Sequence, residues 1–460
     1  MELHDLSAVE QARAIRSGGI SARELADHYL ARIERLNDVV GAFVTLTPDL
    51  ARDQADAADR RAASGEPPLS GLDGVVVPVK DLHFYEGVRI RFGTPVLDVV
   101  APMDEFVAGR LRAAGTVMPG KTTTPEFGLP AYTAPEVGPW ARTPWDLTRS
   151  AGGSSGGAAA AVAAGLAPVA HGSDGGGSIR IPASSCGLVG LKTSRDLLPN
   201  GPLPEGPGRL GVQGPLARSV ADAAALLDVM AASAPDRTYL AALATEPGPL
   251  RIGRYATAVI ADTPVHAECL VAWERASAAL AALGHEIVDI EIPLPLHAVP
   301  HFELVWAAGA AGIPLDPSVE PQLRPLTRWL RERGRALSDA DVAEAIAFMA
   351  EHAGLALASS AHVDLVLTPT LADLPAPIGS IRNDDDPTAD FEAQKRFTPF
   401  TSPYNMTGQP AISLPVHWTD EGLPVGVQLV GRPLEEALVL RVAAQPERAL
   451  PWSHRHPEVW

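Results

Sequence analysis

The sequence predicts an α/β layered fold, and three observations carry the prediction. Helical patterns alternate with short buried strand patterns from end to end. The strand patterns are runs of β-branched residues too short for helices, such as VVVPV at 75–79 and VDLVL at 363–367. No internal repeat or long linker interrupts the alternation, so residues 1–460 are read as a single domain.

The elements follow in order. Residues 5–65 read as a helical layer. Within it Ser21 stands three residues before Glu24, the spacing of a capping box. Leu25, Tyr29, Ile33 and Leu36 then recur on one helix face. Residues 66–70, EPPLS, read as a turn, and VVVPV as a buried strand that delivers Lys80 and Asp81 at its end. A helix is expected over 104–114, stopped by Gly115, and a strand over 117–119 before GKTTTPEFG. AGGSSGG at 151–157 opens an Ala-rich helix that runs to about Gly165. A strand over 167–170 leads into HGSDGGGSIRIPASSCG at 171–187. Helices are expected over 219–232 and 264–283 with a strand at 251–255 between them, and 290–360 reads as helical. The final third is strand-rich, and the acidic run 384–386 reads as a solvated loop.

Composition narrows the function. A formal net charge of -18 argues against nucleic acid as a partner, because phosphate binding needs clustered Lys and Arg. The same charge disfavours docking to anionic membranes. The longest run of small apolar residues, 158–170, is too short for a bilayer, which needs roughly 20 residues. The N-terminal stretch MELHDLSAVE has no apolar core of a secretory signal. With only two cysteines, Cys186 and Cys269, there is no disulfide framework, and a cytoplasmic protein is expected. Cys186 is read as buried packing, and Cys269 as a core or surface residue of its helix. The sequence has no HExxH, no CxxC and no clustered ligand set, so neither a metal nor another cofactor is expected.

Two glycine-rich segments carry chemistry. In AGGSSGG the glycines free the backbone, and the helix behind it offers unpaired N–H groups. That pattern suits an anion cradle as well as a tight turn with two capping serines. In GSDGGGSIR, Gly175–Gly177 precede Ser178, so several N–H groups can converge beside a nucleophile, as in an oxyanion hole. A surface glycine turn has the same composition. Ser178 lacks a GxSxG elbow, and no histidine forms a motif with it; His171 reads as a strand-end residue. Lys80 is the alternative candidate base, since burial behind an apolar strand would favour its neutral form, although spacing alone does not single it out. Asp81 beside it offers the competing ion pair.

Taken together, VPVKD at 77–81, AGGSSGGAAAAVAAG at 151–165 and GSDGGGSIRIPASSCGLVGLK at 172–192 resemble the amidase signature family. Ser154 and Ser178 stand 24 residues apart, the family's spacing. GKTTTPEFG, GPLARSVADAAALLDVM, LVLTPT, SPYNMTGQPAISLP and GLPVGVQLVG extend the resemblance over roughly residues 5–450. It implies an α/β fold with a central mixed β-sheet covered by helices on both faces. Residues 1–65 would be the helical layer, 66–220 the catalytic core and 255–360 a variable region on the substrate side. It also implies a Ser–cis-Ser–Lys triad: Ser178 the nucleophile, Ser154 the bridge after a cis Gly153–Ser154 bond, and Lys80 the base. Gly175, Gly176, Gly177 and Ser178 would hold the oxyanion, with Ser155, Asp174 and Arg180 in support. Gly128 would face the acyl group.

The implied reaction is hydrolysis of a small-molecule amide through an acyl-enzyme, with a homodimer as an allowed assembly. Departures occur at Gly74-Val75-Val76 and at Lys192-Thr193-Ser194-Arg195-Asp196, both outside the triad. The second resembles the branch that contains cyclic amide hydrolases. Three other readings compete: an amidotransferase-type subunit, acyl transfer to another amine, and a non-catalytic binding protein. Specificity should draw on residues 123–145 and 300–360. There Phe302, Trp306 and Trp329 suit an apolar pocket, although helix packing is the favoured reading of each.

Overall fold

The computed structural model describes residues 2–234, 237–294 and 296–460. Five short strands come first: β1 (Phe43–Leu46), β2 (Val79–Lys80), β3 (Arg89–Ile90), β4 (Val99–Val100) and β5 (Gly120–Thr122). β1, β5 and β2 form a small sheet in that order, and β3 pairs with β4. Eight strands build the main sheet: β6 (Val169–Asp174), β7 (Val189–Lys192), β8 (Val212–Ala217), β9 (Arg251–Arg254), β10 (Glu286–Asp289), β11 (Leu365–Pro369), β12 (Ala411–Trp418) and β13 (Pro424–Val430). Their order is β10-β9-β11-β13-β12-β7-β8-β6. The β10–β9 and β9–β11 pairs are parallel and the remaining pairs antiparallel, so the sheet is mixed.

Helices cover both faces, as the alternation of strand side chains requires. Val169 and Ala217 pack in one core, while their chain neighbours Ala170 and Leu216 pack in the other. The helices Val220–Ala231, Ala267–Ala282 and Glu436–Ala449 lie on the first face; Gly156–Ala163 and Arg180–Cys186 lie on the second. Gly156–Ala163 is wholly buried. Alanine favours helix, and its small side chain lets the helix run close beneath the sheet. A Cβ at Gly157 would stand 2.3 Å from the backbone N of Thr123, so no larger residue fits there.

Several elements differ from the expectations. The N-terminal layer is not helical throughout. Gly41, at φ 68°, ends the helix Ala22–Val40, and the extended FVTL of β1 follows. The Ser21–Glu24 capping box forms, and Leu25, Tyr29 and Ile33 are buried on the expected face. VVVPV yields regular strand only at β2, with Val76 bridging Val117, because Pro78 has no N–H for a ladder. Lys80 therefore lies within a strand. The strand expected over 117–119 forms instead as β5. β6 runs on to Asp174, which places His171 mid-strand rather than at an end. The run 384–386 is an exposed loop, as expected, and it also has partners. Asp384 pairs with Arg324 at 2.7 Å and also with Arg382, and Asp386 caps the helix Pro387–Phe397. Cys186 and Cys269 are both buried and free.

The region over 290–360 is helical as expected. Its helix Asp339–Ser359 is long and apolar enough to cross a membrane by length and composition. In this fold the helix lies against Val299–Ala311 and buries Ala345, Met349, Ala353 and Ala356.

Candidate active site

Three unconnected stretches of sequence converge at the end of β6. β2 supplies Lys80, the turn before helix Gly156–Ala163 supplies Ser154, and the loop after β6 supplies Ser178. Lys80 Nζ donates to Ser154 Oγ at 2.8 Å and to the Ser173 carbonyl at 3.1 Å. The Gly153–Ser154 peptide is cis. Ser154 and Ser178 border the same cavity of about 450 Å³. Among the described residues no hydrogen bond joins their two hydroxyls. Lys80 is fully buried, whereas Ser178 keeps 7% of its surface exposed. Burial pushes the Lys80 ammonium down to about 7, against the opposing pull of the Asp174 carboxylate.

Asp81 does not pair with Lys80. It lies 3.7 Å from Lys121 on the neighbouring strand, with both side chains buried. β2 and β5 run parallel and set Lys80 beside Thr122, so the two lysines occupy different positions, and Lys121 takes the carboxylate. Burial pushes Lys121 down and Asp81 up, each against its partner. Lys121 also donates to the His83 carbonyl. His171 is buried with its pKa well below the ordinary value, because burial disfavours its charged form. Its Nε2 meets Gln213 at 2.8 Å, and its Nδ1 accepts from the Lys80 backbone.

The loop that carries Ser178 is built around Asp174. Its carboxylate accepts from the N–H of Gly177 at 2.7 Å and of Ile179 at 3.1 Å. It also takes two bonds from the Arg180 guanidinium, at 2.9 and 3.0 Å. Burial alone would raise its pKa; Arg180, joined by Lys192 and Asn405, outweighs burial and holds the carboxyl well below the usual carboxylate range. Arg180 reaches on to Thr401 O, Gln428 Oε1 and Asn405 Oδ1, each at 2.7 Å. Ser155 donates from Oγ to the Ser173 carbonyl and from its backbone to the Ser178 carbonyl, both at 3.1 Å. Gly177 is not an available oxyanion donor, because Asp174 already takes its N–H. What that position requires is its φ of 131°. Among the described residues, the N–H groups of Gly175, Gly176 and Ser178 meet no protein acceptor. Gly128 borders the cavity beside Ser154, where an added Cβ would lie 3.2 Å from Ser154 Oγ.

Some residues of the site were not picked out from sequence. Thr401 donates to the Gly176 carbonyl at 2.7 Å, and Asn405 donates to the Asp174 carbonyl at 2.9 Å. Both fall in FTPFTSPYNM, which the sequence marked only as part of the wider resemblance and without a role for either residue. His83 and Glu105, paired at 2.7 Å, also border the cavity. Phe302 and Trp306 are not simple packing residues, since both line cavities at Ser178, whereas Trp329 packs on Phe391 as expected.

The Asp174–Arg180 pair predicts a stability effect. Arg180→Met leaves a buried carboxylate unpaired and is expected to cost about 3–5 kcal/mol in urea unfolding at neutral pH. Arg180→Lys should recover little of it, since a single ammonium cannot reproduce the fork of bonds. Because Asp174's pKa is depressed, this contribution is present at neutral pH and is lost only as pH falls through that depressed value.

The fold and this site define an amide hydrolase. The sequence model of the amidase family matches residues 24–440. A putative amidase, AmiB2, of Mycobacterium tuberculosis is 39% identical over 98% of both chains. The 6-aminohexanoate-cyclic-dimer hydrolase of a Pseudomonas strain is 36% identical over 98% of this chain and 96% of its own. A solved structure of a 6-aminohexanoate cyclic dimer hydrolase superposes with a TM-score of 0.90 at 32% identity, covering 100% of this chain and 99% of that one. The chain belongs to the amidase family.

Proposed function

We propose that the chain hydrolyses small carboxylic amides through a covalent acyl-enzyme on Ser178, with Lys80 as base acting through Ser154. The observation that supports this best is the buried Lys80 Nζ, held 2.8 Å from Ser154 Oγ with its pKa lowered to about 7. A lysine at its ordinary value would be charged at neutral pH and unable to accept a proton. Neutral Lys80 takes the Ser154 proton, and Ser154 takes that of Ser178 as its Oγ bonds to the amide carbon. The N–H groups of Gly175, Gly176 and Ser178 stabilise the oxyanion. The proton returns through Ser154 to the nitrogen, the C–N bond breaks and the amine leaves. Water then attacks the ester by the same proton route, releasing the carboxylic acid and restoring Ser178.

A fluorophosphonate probe followed by peptide mapping tests the reading. Label is expected on Ser178, and label confined to another residue would sink the nucleophile assignment. The pH profile gives a second check. The active form carries neutral Lys80, so kcat/KM should rise with pH through about 7 and level off above it. A profile that is flat from pH 5 to 9 would contradict the base assignment.

A further inference from the structure

Ser178 borders two cavities. The larger, of about 450 Å³, also touches Ser154, Gly128 and Gly175, and its walls carry Glu105, Asn200 and Arg209. The smaller, of about 60 Å³, lies against Gly176 and is walled by Ile181, Ile260, Phe302 and Phe391, with Lys395 and Gln394 at its side. On that measure one water needs about 10–15 Å³, so the smaller cavity holds only a few heavy atoms. Trp306 lines both cavities. Its indole stacks on Phe302 with ring centroids 5.7 Å apart and planes 16° from parallel. The pair lies on the glycine loop. A Cβ at Gly175 would come within 3.2 Å of Trp306 Cζ3, and one at Gly176 within 3.7 Å of Phe302 Cζ.

We propose that Trp306 is the wall that sorts the two halves of the substrate by size, the leaving amine into the larger cavity and the acyl group into the smaller one. The proposal rests on the Ser178–Ser154–Lys80 reading above. In that reading Ser154 hands a proton to the departing nitrogen, and Ser154 borders the larger cavity and not the smaller. The nitrogen substituent therefore occupies the larger cavity. Once the carbonyl carbon is bonded to Ser178, its remaining substituent is directed toward Gly176, Phe302 and Trp306. Gly128 then stands beside the amine, opposite the side that the family resemblance implies. The substrate class that fills both cavities is an N-substituted amide with a short acyl group and a larger amine portion. A primary amide would leave the larger cavity empty.

Two substrate series test this, one of lengthening acyl groups on a fixed amine and one of varied amines on a fixed acetyl group. Wild type is expected to lose kcat/KM about tenfold or more per methylene once the acyl group exceeds the small cavity, and to tolerate the amine series. Trp306→Ala joins the cavities and is expected to raise the long-to-short acyl ratio at least tenfold, a larger change than any in the amine series. A change in the amine series as large as that in the acyl series, or a change in neither, overturns the proposal. If Trp306→Ala takes up no fluorophosphonate, Trp306→Leu carries the same test with a smaller shift. Absence of label on wild-type Ser178 would sink the catalytic reading itself, whereas labelling with preference for primary amides sinks only the sorting by Trp306.

Discussion

Ser178→Ala is expected to lower kcat for amide hydrolysis by about 10⁴–10⁶-fold, the scale on which a nucleophile in a cooperating set is felt. The loss should fall on kcat, because the cavity walls that bind substrate are untouched. The remaining rate would come from the N–H groups of Gly175, Gly176 and residue 178 acting on water attack. The backbone bonds of the loop run through Asp174, Ser155 and Thr401 rather than the Ser178 hydroxyl, so the melting temperature should stay within a degree or two of wild type. Steady-state kinetics beside a thermal melt checks both halves. Amide turnover within tenfold of wild type would remove Ser178 from the mechanism.

Lys80→Met is expected to cost about 10³–10⁵-fold in kcat and to abolish the rise of kcat/KM through neutral pH. Methionine keeps most of the stem's volume, so the buried site stays filled while the proton acceptor disappears. Stability should respond in the opposite direction. Lys80's folded pKa, about 7, lies below its ordinary 10.5. Between these values the unfolded chain binds more protons, so wild-type stability carries a full penalty below about pH 7 that fades toward pH 10.5. Lys80→Met removes that penalty and should therefore gain stability over wild type at pH 6 but not at pH 10. Denaturant midpoints at the two pH values decide it. Equal shifts at both would mean that Lys80 is charged throughout.

The layered α/β architecture was legible because helix and strand periods differ and short β-branched runs are hard to mistake. Boundaries were less so. Pro78 cut a five-residue apolar run to a short strand, and Gly41 let a strand form inside a stretch whose composition favours helix. The two glycine-rich serine segments announced themselves by composition alone. Their partner Lys80 did not, since a lysine at the end of an apolar run more often pairs with its neighbour. Burial sets its state, and Asp81 does not offset that burial because it lies beside Lys121 on β5, a contact across strands that no local pattern encodes. The loss of Gly177 as an oxyanion donor was equally invisible, for it depends on where the Asp174 side chain folds back. Trp306 read as packing because a helix face shows its periodicity but not the cavity it meets.

The supports of the Ser178 loop come late in the chain. Arg180 is held by Thr401, Asn405 and Gln428, residues 221, 225 and 248 positions further on. β7, which follows that loop, finds its neighbour β12 only at Ala411–Ser413. During synthesis Ser178, the proposed nucleophile, therefore emerges long before the residues that hold Arg180 in place. A nascent chain stopped near residue 395 would contain Lys80, Ser154 and Ser178 and still lack a working hydrolase. On the proposed mechanism, activity is expected only once the chain has passed residue 428, and a product that stops short of it is expected to be silent rather than a poorly controlled amidase.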